Sequence, residues 1–152
     1  MTDDPLYRRE ILRLAADANG AGHLGSADAR ATVHNPACGD RVTVEMTLDG
    51  DRVTALAHAT QACVLTQASA ALLAARAPGQ TQAGIAALAK AVRAFLNGGP
   101  TRLESLGGYD VFDGVAGHAG RHTCVLLPLD AALKALECAQ KGAGGTQSQQ
   151  PA

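Results

Sequence analysis

Three cysteines stand in three different local contexts: Asn35-Pro36-Ala37-Cys38-Gly39-Asp40, Ala62-Cys63-Val64-Leu65, and Arg121-His122-Thr123-Cys124. Each lies beside an expected element boundary, and the first is followed two residues later by the carboxylate of Asp40. Three soft sulfur donors and one hard oxygen could close a tetrahedral metal shell. Cys63 and Cys124 both fall near expected helix starts, where free N–H groups and the helix dipole lower a thiol's pKa. A carboxylate in place of a fourth thiolate makes the shell less soft than the four cysteines that usually hold an iron-sulfur cluster, so a cluster here would be labile, as suits a donor. Against this stands the ordinary fate of scattered cysteines, which is burial as small hydrophobes. Cys138, beside Lys134 and Lys141 and off the main apolar stripe, has no expected role.

The elements around these residues decide whether they meet. Tyr7, Ile11, Leu14 and Ala18 recur at helical spacing and predict a first helix from Pro5 to about Ala18. A weak strand follows over Ala27–His34, then the clearest alternation in the chain: Val42, Val44, Met46 and Leu48 against Arg41, Thr43, Glu45 and Thr47. Asp49-Gly50 supplies a turn, and a return strand runs from Asp51 to about His58. Pairing about that turn puts positions 41 and 58 opposite each other, so Cys38, Asp40 and Cys63 share one end of the sheet. Cys124 reaches it only through tertiary folding.

Ala- and Leu-rich helices are predicted over Cys63–Arg76 and around Ile85, Leu88, Val92 and Phe95, with a last helix from about Arg121 to Gln140 that includes Pro128. The segment from Thr101 to Gly120, broken by five glycines, reads as one or two short helical turns joined by flexible connections. The expected fold is α+β, a three-stranded antiparallel sheet covered on one face by several helices. Residues 1–140 are expected to form one domain and 141–152, rich in Gly, Gln and Ser, a disordered tail.

Composition narrows the function classes. The chain has 152 residues, 47% hydrophobic and 18% charged, with a formal net charge of -1. That balance argues against disorder and against a basic nucleic-acid surface. Aromatic residues make up 3%, so the core is expected to be aliphatic and thin. No apolar run approaches the roughly 20 residues that span a bilayer, and the acidic start Met1-Thr2-Asp3-Asp4 is the reverse of a signal peptide. A cytoplasmic protein with no membrane partner is expected. Cysteine separations of 25, 61 and 14 residues do not form a dense disulfide framework, which leaves thiols for metal or redox chemistry.

Taken together, Asn35-Pro36-Ala37-Cys38-Gly39-Asp40, the Cys63 helix with Gln67-Ala68-Ser69-Ala70, and Arg121-His122-Thr123-Cys124-Val125-Leu126-Leu127-Pro128 resemble the iron-sulfur cluster assembly scaffolds that include IscU, SufU and the N-terminal domain of NifU. The resemblance runs from Leu6 to Leu136. The long gap between Cys63 and Cys124, with Thr123 where IscU-like members carry histidine, looks like the SufU branch. That branch implies a SufE/NifU-like fold, a zinc ion held by Cys38, Asp40, Cys63 and Cys124, and sulfur accepted from a SufS-like cysteine desulfurase. Cys38, in the loop, is the candidate sulfur acceptor. Arg121, three residues before Cys124, could stabilise its thiolate or contact a partner, against the ordinary reading of an exposed arginine at a helix start. The alternative within the family is a scaffold that assembles a transient 2Fe-2S cluster on the three cysteines and passes it to iron-sulfur acceptor proteins.

Gly117-His118-Ala119-Gly120-Arg121 occupies the region of the Leu-Pro-Pro-Val-Lys chaperone-docking motif, so an Hsp70 chaperone is not an expected partner. The family's Gly-x-Gly-Cys approach is replaced by Thr60-Gln61-Ala62-Cys63, which predicts a stiffer entry to the second cysteine. His118 and His122 could replace a ligand, and His34 reads as a strand-end residue. Outside the family, a zinc hydrolase would need an open water position and a general base, and no HExxH-like pattern is present. A purely structural zinc would make folding, but not sulfur transfer, depend on the metal. The expected role is therefore delivery rather than enzymatic turnover.

Overall fold

The computed structural model describes residues 8–35, 39–99 and 102–143. Helix α1 spans Arg9–Asp17, followed by strands β1 (Ala29–Asn35), β2 (Asp40–Asp49) and β3 (Arg52–Gln61). Helices α2 (Val64–Arg76) and α3 (Gln82–Leu96) come next, then three 3-10 turns at Leu103–Leu106, Tyr109–Val115 and Ala119–Arg121, and helix α4 (His122–Ala143). The strands form one antiparallel sheet in the order β1-β2-β3. Helix α4 lies across β1 and β2, and α2 packs on β3, with α1 and α3 outside them. The expected α+β fold is the observed one.

The sheet's inner face comes from the alternation read in β2: Val42, Val44 and Met46 are completely buried. Helix α2 has a different pattern, buried on nearly every side from Leu65 to Ala74. Such a helix belongs in the middle of a core. The α1–β1 connection reaches it through Gly20, at φ 81°, where a Cβ would stand 2.4 Å from that of Ala74. Only glycine permits that approach.

Two readings of the elements are corrected. The hairpin turns about Gly50-Asp51, with Asp49 opposite Arg52, and a bulge between Thr47 and Leu48 shifts the register further. Position 41 therefore faces Gln61 rather than 58, and β3 extends to Gln61. An alternating pattern fixes which face is buried but leaves register to the turn and the bulge. The true register brings Cys63 closer to Asp40 than the expected one.

The glycine-broken segment is the second correction: the short helical turns expected there are present, but as three rather than one or two. Its 3-10 turns bury Leu106, Tyr109, Phe112 and Val115 completely. The rings of Tyr109 and Phe112 lie 5.6 Å apart, supplying aromatic bulk that an aliphatic core was expected to lack. At the C-terminus, residues 141–143, expected in the tail, are the last of α4, and the rest of that tail lies outside the described residues. The expected start of the first helix, from Pro5 to Tyr7, lies outside them too. No helix among the described residues is long and apolar enough to cross a membrane.

Candidate metal centre

One end of the sheet gathers the chemistry. Asn35 and Asp40 pair at the last rung between β1 and β2, and the Gly39 N–H donates to the Asn35 carbonyl at 2.8 Å. This closes the connection that contains Cys38, and fixes Asp40 as the first residue of β2. Cys38 itself lies outside the described residues. On the neighbouring strand, Arg41 faces Gln61 and donates from Nη2 to the Gln61 amide oxygen. One residue, Ala62, separates the end of β3 from Cys63, and the Gln67 side-chain amide donates to the Ala62 carbonyl at 3.0 Å. The approach in which glycines are replaced is thus held at both sides.

Cys63 is the N-cap residue of α2, with extended backbone at φ -68° and ψ 170°. Its sulfur lies 3.6 Å from the Thr66 hydroxyl. Cys124 sits in the first turn of α4 and is 2% exposed. Pro128, four residues on, has no N–H to give the Cys124 carbonyl its helical bond. The donor atoms of Asp40, Cys63 and Cys124 all lie within 4.8 Å of one another. Regular tetrahedral zinc with Zn–S near 2.3 Å needs sulfurs about 3.8 Å apart, so a small contraction would suffice.

The electrostatics match this grouping. A hydrogen bond from the Cys124 thiol, helped by the Thr66 hydroxyl and the N–H groups of Thr66 and Leu65, outweighs burial and takes Cys63 from 9.0 down to about 5. Cys124 moves the other way, chiefly because it is the donor to Cys63 and because it is buried, with Asp40 opposing its ionisation and Arg121 favouring it. The metal-free pair is therefore one thiolate and one thiol sharing a proton. Asp40 contributes a different sign of readiness: its Oδ2 is buried with no hydrogen-bond partner. A buried carboxylate oxygen without a donor is costly, and a cation satisfies it. The donor set and the orphaned oxygen both fit a bound metal.

Linkage gives this pair a pH signature. Cys63, depressed in the fold, adds stability that is present above its ordinary value of 9.0 and lost as pH falls towards about 5. Cys124, raised in the fold, adds stability present below that ordinary value and lost above it. Stability of the metal-free protein should therefore rise from pH 5 towards 9 and decline beyond. Alkylation of Cys63 by iodoacetamide, followed by peptide mass spectrometry, should level off by about pH 6, one unit above its pKa. A rate still climbing at pH 9 would show that no such thiolate exists.

Other expected contributors fall in different places. Arg121, half-buried at the end of the last 3-10 turn, is near enough to favour the Cys124 thiolate. His122 uses Nε2 on the Ala116 carbonyl at 3.0 Å, His118 is exposed, and neither belongs to the ligand group. His34 is exposed on β1 opposite Arg41, and Cys138 is exposed on α4. Sequence reasoning gave no role to Thr66, Ser69 or Tyr109. The signal for Tyr109 was scarcity, one of two tyrosines in a chain without tryptophan, placed three residues before Phe112.

A three-stranded sheet whose open end presents two cysteines and an aspartate from three elements defines a candidate metal-binding α+β protein. The family model of the NifU-like N terminal domain matches residues 6–125, and the chain belongs to that family. Among solved structures, the nitrogen-fixing NifU-like protein (N-terminal) from Brucella abortus is 32% identical, with 91% of this chain and 96% of that one covered and a TM-score of 0.85. A putative iron-sulfur cluster assembly scaffold protein for the SUF system from thermophilic Fervidobacterium islandicum shares the fold, with 24% identity, TM-score 0.83 and coverage of 89% and 99%. Comparison with curated proteins gave no match.

Proposed function

We propose that this protein serves iron-sulfur cluster assembly in the SufU manner, accepting sulfur from a cysteine desulfurase at a zinc site formed by Cys38, Asp40, Cys63 and Cys124. The observation that carries the reading is the convergence of donor atoms of Asp40, Cys63 and Cys124, together with an Asp40 oxygen that is buried and lacks a partner. Cys38 stands two residues from Asp40 in the chain, a tether of at most about 7.2 Å between their Cα atoms. Family membership and the likeness to a SUF-system scaffold support the same job. When bound, zinc would keep thiolates ionised at neutral pH.

The protein's own part is to present one of them. The Cys38 thiolate attacks the terminal sulfur of the desulfurase persulfide. A new S–S bond forms on Cys38, the bond to the desulfurase cysteine breaks, and that cysteine leaves as a thiolate. Oxidation levels balance, and no further reductant is needed for the transfer itself. Asp40, Cys63 and Cys124 remain to hold the site together while Cys38 is engaged.

Cys38→Ala tests the assignment. With desulfurase and free cysteine, the parental chain should gain 32 Da on the Cys38 peptide and stimulate turnover, and Cys38→Ala should do neither. Equal acceptance by the variant overturns the role of Cys38. The second reading, a scaffold for a labile 2Fe-2S cluster, draws on the same three thiolates and on the scaffold description of the Fervidobacterium protein. Anaerobic reconstitution with iron and sulfide separates them, since a stable cluster chromophore favours the scaffold and persistent zinc favours the sulfur acceptor.

A further inference from the structure

Helix α2 carries a buried hydroxyl in a run that is otherwise small and apolar. Ser69 is 0% exposed and stands among Ala68, Ala70, Ala71 and Ala74, where an alanine would fill nearly the same space. A hydroxyl taken out of water needs a partner, so its presence there calls for a reason beyond packing. Ser69 Oγ donates to the Val125 carbonyl of α4 at 2.6 Å. The Tyr109 hydroxyl donates to the Ser69 backbone carbonyl at 2.8 Å and lies 3.1 Å from Ser69 Oγ.

The positions of these partners matter more than their number. Val125 is the residue after Cys124. Ser69 lies six residues along α2 from Cys63, about 9 Å at the helical rise, on the same rigid element. Apart from the Cys63–Cys124 pair itself, the remainder of the contact between α2 and α4 belongs to the aliphatic core, and apolar contact by itself is non-directional. A hydroxyl-to-carbonyl bond is directional.

We infer that Ser69 is a positioning residue that fixes the separation of Cys63 and Cys124 by pinning α2 to α4 beside the second of them. This rests on the proposed metal site for its consequence, though the separation itself is a property of the metal-free chain. Ser69→Ala removes the link and leaves the Tyr109 hydroxyl its carbonyl acceptor. Tyr109→Phe deletes a buried hydrogen bond at the same place and leaves the link between the helices intact. The two variants therefore part a positioning role from a merely structural one.

Two measurements on the full chain read the outcome. In the metal-free protein carrying Cys38→Ala and Cys138→Ala, diamide withdraws two electrons and the one shared proton from Cys63 and Cys124 to form their disulfide, taking its second proton from water, at a rate that reports their proximity. Ser69→Ala should slow this about tenfold, and Tyr109→Phe less than threefold at a comparable loss of Tm. In the otherwise unaltered chain, Co(II) should give thiolate charge-transfer bands that shift in Ser69→Ala but not in Tyr109→Phe, with affinity about tenfold weaker, as for partners that orient metal ligands. Unchanged disulfide rate and spectrum in Ser69→Ala, or equal changes in both variants, overturn the positioning role. Slowing of the disulfide assay by Ser69→Ala as expected, in a protein whose parental chain binds no Co(II) through thiolates, would overturn the metal reading and leave the positioning role standing.

Discussion

Cys63→Ala should leave the protein folded and deprive it of zinc. The side chain is small and half-buried, so removing it opens no large cavity in the core. What goes is one of the four anionic donors of the proposed site. Structural zinc sites bind with roughly 10–16 kcal/mol at neutral pH, so one ligand in four accounts for about 2.5–4 kcal/mol, about two to three decades of affinity. Zinc should raise the parental Tm and barely move that of Cys63→Ala, because a ligand stabilises only as far as it binds the folded state. Competition with a chromophoric chelator checks the affinity, and thermal unfolding with and without zinc checks the linkage. Parental affinity in Cys63→Ala would remove this residue from the site.

Asp40→Asn should reverse sign between the two forms of the protein. Without metal, the carboxylate has an oxygen that is buried and unpartnered, and it lies near the Cys124 thiol and Cys63 thiolate, where a second negative charge is unfavourable. Asparagine keeps the shape and removes the charge, relieving a penalty on the order of 1–3 kcal/mol. The metal-free variant should therefore be as stable as the parent or more so. With zinc the order inverts, since the amide oxygen is a poorer donor to a cation than a carboxylate. Thermal unfolding of both proteins, stripped and zinc-loaded, gives four midpoints. Parallel destabilisation in both forms would mean that Asp40 serves the fold and not a metal.

The sequence made the site more legible than its support. Alternation in Val42, Val44 and Met46 identified the inner face of β2, and the position of Cys63 before an Ala- and Leu-rich run identified a helix start. Both follow from local periodicity, which a single chain displays directly. Hairpin register was not legible, because the bulge at Thr47 and Leu48 depends on how the strands twist together. The core role of Tyr109 and Phe112 was hidden by the glycines around them, which read as flexibility. In the fold those glycines allow tight 3-10 turns: Gly107 and Gly108 take φ of 56° and 98° immediately before Tyr109.

Tertiary placement of Cys124 was beyond any local pattern. Its position follows from α4 crossing β1 and β2 and from α2 packing beside α4, both consequences of burying large apolar faces. The family resemblance supplied that fact where periodicity could not. Ser69 shows the remaining gap, since nothing in an alanine-rich helix distinguishes a buried, bonded serine from an exposed one. The difference lies wholly in what the fold sets opposite it.

Extended X-ray absorption at the zinc edge of freshly purified, unsupplemented protein addresses the four-ligand site without intermediaries. The proposed site predicts about one zinc per chain, with three sulfurs near 2.3 Å and one oxygen near 2.0 Å. Loss of one sulfur in Cys38→Ala and of the oxygen in Asp40→Asn would assign the donors individually. A zinc shell of nitrogen and oxygen only, or protein that carries no zinc and takes none up at neutral pH, would contradict the account.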